Sequence, residues 1–168
     1  MEQNEEIEKQ LTILMDEYGD SVLRMCYIYL HDYQLAEDVA QETFIKVYEH
    51  YGEFQNKSSI KTWILKIAIN LCKNQMRTHW WKCRSDKEIT EVDTNEYYDT
   101  FLDRQMVLSE IGKLSVKYRE VILLYYYQEL TIPEIASLLN EKESTIKARL
   151  VRGRKKLEPE LAEVFCYE

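Results

Sequence analysis

Apolar residues recur along this chain at three- and four-residue steps, the period of a helix with one buried face. Leu11, Leu14, Met15, Tyr18, Val22, Met25 and Cys26 follow it first, and the stretch LHDYQ interrupts it. Residues 35–51 resume it. Leu35, Val39, Ala40, Phe44, Val47, Tyr48 and Tyr51 fall on one side, and Glu37, Asp38, Gln41, Glu42, Ile45 and Glu49 on the other. YGEFQNKS then reads as a turn, with Gly52 as stop signal and Ser58 or Ser59 as the next N-cap. A third helix is predicted over 60–80, with Ile64, Ile67, Ala68 and Leu71 inward. Lys66, Asn70, Lys73, Asn74 and Arg77 lie on or near its other side.

Residues 85–101 are acidic and polar and hold no sustained helical period, so they read as a linker. Beyond them a helix is predicted over 114–128, with Leu114, Tyr118, Val121, Ile122 and Tyr125 on its apolar face. Thr131-Ile-Pro-Glu134 has the form of a capping box, and Pro133 is tolerated in a first turn. The helix it opens buries Ile135, Ala136, Leu138 and Leu139. Asn140 occupies the turn, where a left-handed backbone is expected, and Ser144 is the expected cap of the last helix. Small Ala136, turn residue Asn140 and inward Ile146 have the spacing of a helix–turn–helix. In the last helix Ile146 and Leu150 point in. Lys147, Ala148, Val151 and Arg152 face out, where a recognition helix reads base edges, and Arg149, Arg154, Lys155 and Lys156 are placed to reach phosphates.

Composition agrees with an all-α fold: 45% of the residues are hydrophobic, and only four Gly and two Pro interrupt 168 residues. Two small helical domains are expected, over 10–82 and 105–163, joined by an acidic linker over 83–104. The formal net charge is -8, but it is unevenly spread. Residues 1–20 hold seven acids and one base, and residues 85–110 eight acids and two bases. Residues 57–84 hold seven bases and no acid, and residues 140–156 seven bases and two acids. Two cationic surfaces on an acidic chain point to a polyanion gripped at two places. The first also carries amides, which hydrogen-bond base edges, beside cations that neutralise phosphates. Trp63, Trp80 and Trp81 offer flat faces for an unpaired base, although Trp63 at helical spacing equally suits the core.

Other chemistry finds less support. Cys26, Cys72, Cys83 and Cys166 form no C-x-x-C pair, so reduced thiols are expected. Cys72, His79 and Cys83 lack a fourth zinc ligand, and neither metal nor cofactor is expected. No Gly-rich phosphate loop or nucleophile–base pair supports an enzyme, and His31, His50 and His79 share no helix face. The acidic N-terminus does not read as a secretory signal, and no apolar run approaches the ~20 residues of a membrane span. A cytoplasmic protein without direct membrane insertion is expected.

The motifs together resemble those of the extracytoplasmic-function (ECF) sigma factors, the small two-domain specificity subunits of bacterial RNA polymerase. LAEDVAQETFIKVY resembles their region 2.2, FQNKSSIKTWILKIAINLCKNQMR regions 2.3 and 2.4, and the chain from Leu114 to Leu157 region 4. The resemblance implies that Asp38, Gln41, Glu42 and Ile45 bind the clamp helices of the largest polymerase subunit. It implies that Asn56, Lys57 and Ser58 in the turn, with Lys61, Trp63, Lys66, Asn70, Lys73, Asn74 and Arg77, open and read the promoter -10 element as single strand. A flipped base would occupy the turn. Thr145, Lys147, Ala148, Arg149, Val151, Arg152, Arg154 and Lys155 would read the -35 element as duplex. The acidic linker would lie along the RNA-exit path. Further implied partners are the polymerase flap and an anti-sigma factor, in some systems membrane-anchored, with association to the nucleoid when active. The chain departs from the usual region 4 turn, with Lys142 and Ser144 where Ser and Gly are common, and Ala148 where Ser is frequent. A stand-alone helix–turn–helix regulator is the competing reading; it would give the basic helix over 60–80 no role with DNA.

Overall fold

The computed structural model describes residues 2–83 and 102–165, and every regular element among them is helical. The chain divides into two compact units, Met1–Glu91 and Val92–Glu168. The expected linker over 83–104 lies almost wholly outside the described residues.

The first unit is three mutually packed helices, α1 (Glu2–Leu30), α2 (Tyr33–His50) and α3 (Ile60–Cys83). Two residues join α1 to α2. His31 takes a left-handed φ of 54° while its N–H reaches the Tyr27 carbonyl at 2.8 Å. Asp32 then caps α2 by accepting the Leu35 N–H at 2.9 Å. A 3₁₀ turn over Tyr51–Glu53 ends α2. Of the two serines expected to cap α3, Ser59 does so, its hydroxyl accepting the Thr62 N–H at 3.1 Å.

The core of this unit contains Val22, Met25, Cys26 and Tyr29 of α1, Val39, Phe44 and Val47 of α2, and Ile64, Leu65, Ala68, Ile69 and Cys72 of α3. Two expectations are corrected here. Ile67 and Leu71 are only half-buried, whereas Leu65, Ile69 and Cys72 are buried, because α3 faces two neighbours and turns a wider arc inward. Met15 is 46% exposed, at the edge of the stripe rather than in it.

Cys26 and Cys72 meet inside this core as free thiols. The thiol of Cys72 is hydrogen-bonded to that of Cys26, and this contact together with burial pushes its pKa far above the usual thiol range. Both side chains are closed to solvent, and the Cys72 thiol is also held in its unreactive protonated form, so neither cysteine should react with iodoacetamide at neutral pH. Peptide mapping is expected to find both unmodified in the native protein and modified after denaturation in guanidinium. Native labelling of either would contradict this packing.

The second unit comprises α4 (Leu102–Lys113), α5 (Val116–Ile122), α6 (Ile132–Leu139) and α7 (Glu143–Phe165). Helix α4 was not expected, and it opens three residues ahead of the anticipated boundary at 105. The single helix expected over 114–128 also differs. Leu114 and Ser115 form a turn, and α5 runs on into a π-helical turn over Leu123–Tyr127. Val121, Ile122, Leu123 and Leu124 are all buried, which a one-faced α-helix does not achieve, and Tyr126 and Tyr127 are left half exposed. Arg119, buried within this run, donates to the carbonyls of Gly112 at 2.6 Å and Leu114 at 2.9 Å, satisfying the open C-terminal end of α4.

The capping box is present: Glu134 N–H to the Thr131 hydroxyl at 3.4 Å, and Thr131 N–H back to the Glu134 carboxylate at 2.8 Å. Asn140 ends α6 with φ 55°, as expected. Ser144, however, lies within the first turn of α7; the carbonyl that accepts the first helical bonds, from Thr145 and Ile146, belongs to Lys142. Helix α7 packs against α4, α5 and α6. Its inner stripe is Ile146, Leu150, Gly153 and Leu157, at steps of four, three and four. At Gly153 a Cβ would stand 3.1 Å from Ile122 Cγ1, so α5 and α7 approach here to a distance that larger residues resist.

Candidate nucleic-acid interface

Each unit presents one cationic face, and the two are built differently. In the first unit the face runs along α3 and the turn before it. The turn is pinned at both ends. The Phe54 ring stands 5.1 Å from that of Trp63, and Ser59 is held by its cap and by a 2.8 Å hydroxyl contact to Thr62. Between these anchors Gln55, Asn56, Lys57 and Ser58 are exposed, and Asn56 takes a left-handed φ of 53°. A short loop fixed at its base and open at its tip is preorganised to hold a ligand without an ordering cost. Trp63 is half-buried, so one part of its ring packs on Phe54 while another meets solvent.

Along α3, Lys66, Asn70, Asn74 and Arg77 are exposed, and Lys61 and Lys73 half-buried. Lys66, Asn70, Lys73, Asn74 and Arg77 recur at helical spacing along one side of α3, whereas Lys61, in its first turn, lies on the side of the buried stripe. The Arg77 guanidinium donates to the Asn74 side-chain oxygen, which orients the amide. Trp80 has no described side chain, and Trp81 lies likewise outside the described side chains. On α2, Asp38, Gln41 and Ile45 are exposed, Ile45 by 55%, and Glu42 is half-buried. An exposed isoleucine ringed by carboxylates and an amide has the character of a protein contact rather than a DNA contact.

In the second unit Lys147, Ala148, Val151 and Arg152 are exposed on the outer face of α7, and Thr145 is half-buried at its start. Arg154, Lys155 and Lys156 are exposed further along. Two of these cations are braced on aromatic rings. The Arg154 guanidinium lies 5.8 Å from the Tyr126 ring centre and 6.0 Å from that of Tyr125, and the Lys156 ammonium 5.8 Å from that of Tyr118.

Arg149 departs from the expectation that it reaches outward. Its guanidinium is 2.7 Å from the Glu141 carboxylate and 3.5 Å from that of buried Glu120. Sequence reading passed over Glu120. The available signal was a charged pair, Arg119–Glu120, set inside an otherwise apolar run.

The arrangement defines a class: a helical DNA-binding protein with a helix–turn–helix in one unit and a second, amide-bearing cationic helix in the other. Residues 14–82 match Sigma-70 region 2, and residues 104–157 match Sigma-70 region 4. The ECF RNA polymerase sigma factor SigW of Bacillus subtilis (strain 168) is 33% identical over 165 residues, covering 90% of this chain and 88% of that protein. The RNA polymerase sigma-H factor of Pseudomonas aeruginosa is 28% identical over 164 residues, covering 89% and 84%. Among solved structures, the sigma factor RpoE of Bartonella quintana, crystallised with the anti-sigma factor NepR, superposes with a TM-score of 0.82. That match covers 92% of this chain and 98% of that one at 23% identity, and it supports the fold. The chain belongs to the ECF RNA polymerase sigma factors. It is thus a sigma factor and not a stand-alone helix–turn–helix regulator. Among the described residues no helix is long and apolar enough to cross a membrane.

Proposed function

We propose that this sigma factor divides promoter recognition between its two cationic faces, duplex DNA at α7 and melted strand at α3. The observation that carries the reading is the difference in their construction. The outer face of α7 offers a straight ridge, Lys147, Ala148, Val151 and Arg152, suited to a major groove at the -35 element. The α3 face pairs Asn70 and Asn74 with Lys66, Lys73 and Arg77, and adds an aromatic ring and a pinned open turn. That combination suits an unpaired base of the -10 element, stacked and read on its exposed edge.

Asp38, Gln41, Glu42 and Ile45 are assigned to the clamp helices of the largest subunit. The apolar groove beside α7, bordered by Ile122, Tyr126 and Tyr127, is assigned to the flap. The chain acts as a specificity subunit and leaves the chemistry to the core enzyme. It works in the cytoplasm at the nucleoid, and an anti-sigma factor, membrane-anchored in some systems, would hold it inactive by covering the same surfaces. Among the described residues there is no group of three or more metal-ligating side chains.

Run-off transcription with bacterial core polymerase on a set of candidate promoters tests the reading. Initiation at a subset is expected. Failure at every promoter, including the one upstream of its own gene, would overturn it. The acidity of the whole chain adds a second expectation. Acids repel phosphate, so the isolated protein should give no specific gel shift at concentrations where the holoenzyme binds fully. Tight, sequence-specific binding by the free chain would count against a division of affinity between sigma and core.

A further inference from the structure

We propose that Arg149 is a positioning residue for promoter reading: it locks α7 to the rest of its unit and does not itself touch DNA. The inference rests on the assignment of α7 to the duplex -35 element. Arg149 occupies the helix that carries the reading residues, yet its side chain is only 21% exposed, and both ends of its fork are engaged. One nitrogen donates to Glu141 Oε1 at 2.7 Å, and the other lies 3.5 Å from Glu120 Oε1. Glu120 is on α5, with its side chain 5% exposed. Glu141 is in the turn between α6 and α7, and its own N–H bonds the Ala136 carbonyl of α6 at 2.9 Å. A single guanidinium on α7 therefore ties the helix–turn–helix, through its turn at Glu141, to α5.

The planar, always-charged fork suits this task, because it meets two carboxylates from different directions at fixed angles. Drawing Arg149 out to a phosphate would break its ion pairs with Glu141 and with the buried Glu120 carboxylate. The neighbours at 147, 148, 151 and 152 carry no such constraint and remain exposed. Base-edge reading tolerates only small misplacements of the reading helix, so the clamp acts on discrimination rather than on electrostatic attraction.

The two roles separate experimentally. Holoenzyme reconstituted with bacterial core polymerase is titrated onto fluorescent promoter DNA across a potassium chloride series. The probe is the strongest promoter from the run-off assay, with matched and single-mismatch -35 elements. Arg149→Met is expected to keep the slope of log K against log salt and to lose about tenfold of the preference for the matched element. A fall of about 0.9 in that slope, the signature of one lost phosphate contact, would overturn the proposal. Arg149→Lys keeps the charge and removes the fork. A phosphate contact would survive that change, so an unaltered preference in Arg149→Lys also overturns the proposal. If Arg149→Met does not fold, Glu141→Gln, which alters an exposed partner, is expected to lower the same preference; an unchanged preference there is equally adverse. Lys147→Ala and Arg152→Ala separate this from the underlying assignment. If both leave slope and preference unchanged, α7 does not read the -35 element, and the assignment falls together with the inference.

Discussion

Replacing Lys66, Lys73 and Arg77 together by alanine is expected to lower open-complex formation by about 50-fold at ~0.15 M salt, without loss of core binding. The magnitude follows from counterion release. Each single-strand phosphate contact contributes about 0.7 to the salt slope, so three contribute about 2.1, which amounts to about 1.7 decades at that salt. The three cations share the outer side of α3 with Asn70 and Asn74, away from the buried Ile64, Ala68, Ile69 and Cys72. Their removal should therefore leave the fold intact. Permanganate footprinting of the melted strand, with co-purification of core polymerase as control, measures both halves. Unchanged melting would show that this face has no part in opening DNA. Asn70→Ala should act differently, weakening the preference for particular -10 bases while leaving the salt slope in place.

The second large effect concerns stability. Leu150→Ala is expected to cost about 3–5 kcal/mol, the loss of a fully buried leucine and the cavity it leaves. The helices of the second unit span some 60 residues, and a domain of that size is stable by about 3–10 kcal/mol. The substitution should thus lower the unfolding midpoint of this unit by at least about 12 °C. The adjacent Val151→Ala removes an outward side chain, 52% exposed, and should stay within about 0.5 kcal/mol. Hydrogen exchange over 104–157 reads the difference between two neighbouring residues with opposite directions. Equal effects of the two substitutions would contradict the inner stripe of α7.

Much of this architecture is legible in the chain because its signals are local. Thr131 and Glu134 make a capping box within one turn, Asn140 tolerates the left-handed conformation that ends α6, and Ala136, Asn140 and Ile146 carry the helix–turn–helix spacing. Charge is legible for a similar reason. A run of seven bases without an acid can fold only into a cationic surface, whatever its packing. What escaped reading depends on more than one element. Helix α4 has a weak apolar period of its own, and it is held by packing on α7 and by Arg119 closing its last turn. Four consecutive buried residues, Val121–Leu124, run from the end of α5 into the π-helical turn at Leu123–Tyr127 and meet neighbours on several sides.

Arg149 draws the line between the two levels. Its sequence context, TIKARLVRGRKK, marks it as one cation among six, and helical period alone places it at the margin between the inner and outer faces of α7. Whether such a side chain turns to DNA or inward depends on what stands beside it. That is decided by Glu120, 29 positions earlier and brought to the guanidinium only when α5 packs on α7, and by Glu141 in the turn between α6 and α7. Periodicity, caps and charge runs are short-range properties and can be read along one chain. Ion-pair partners and the arc of a helix that becomes core are set by neighbours distant in sequence, and they exist only once the helices have packed.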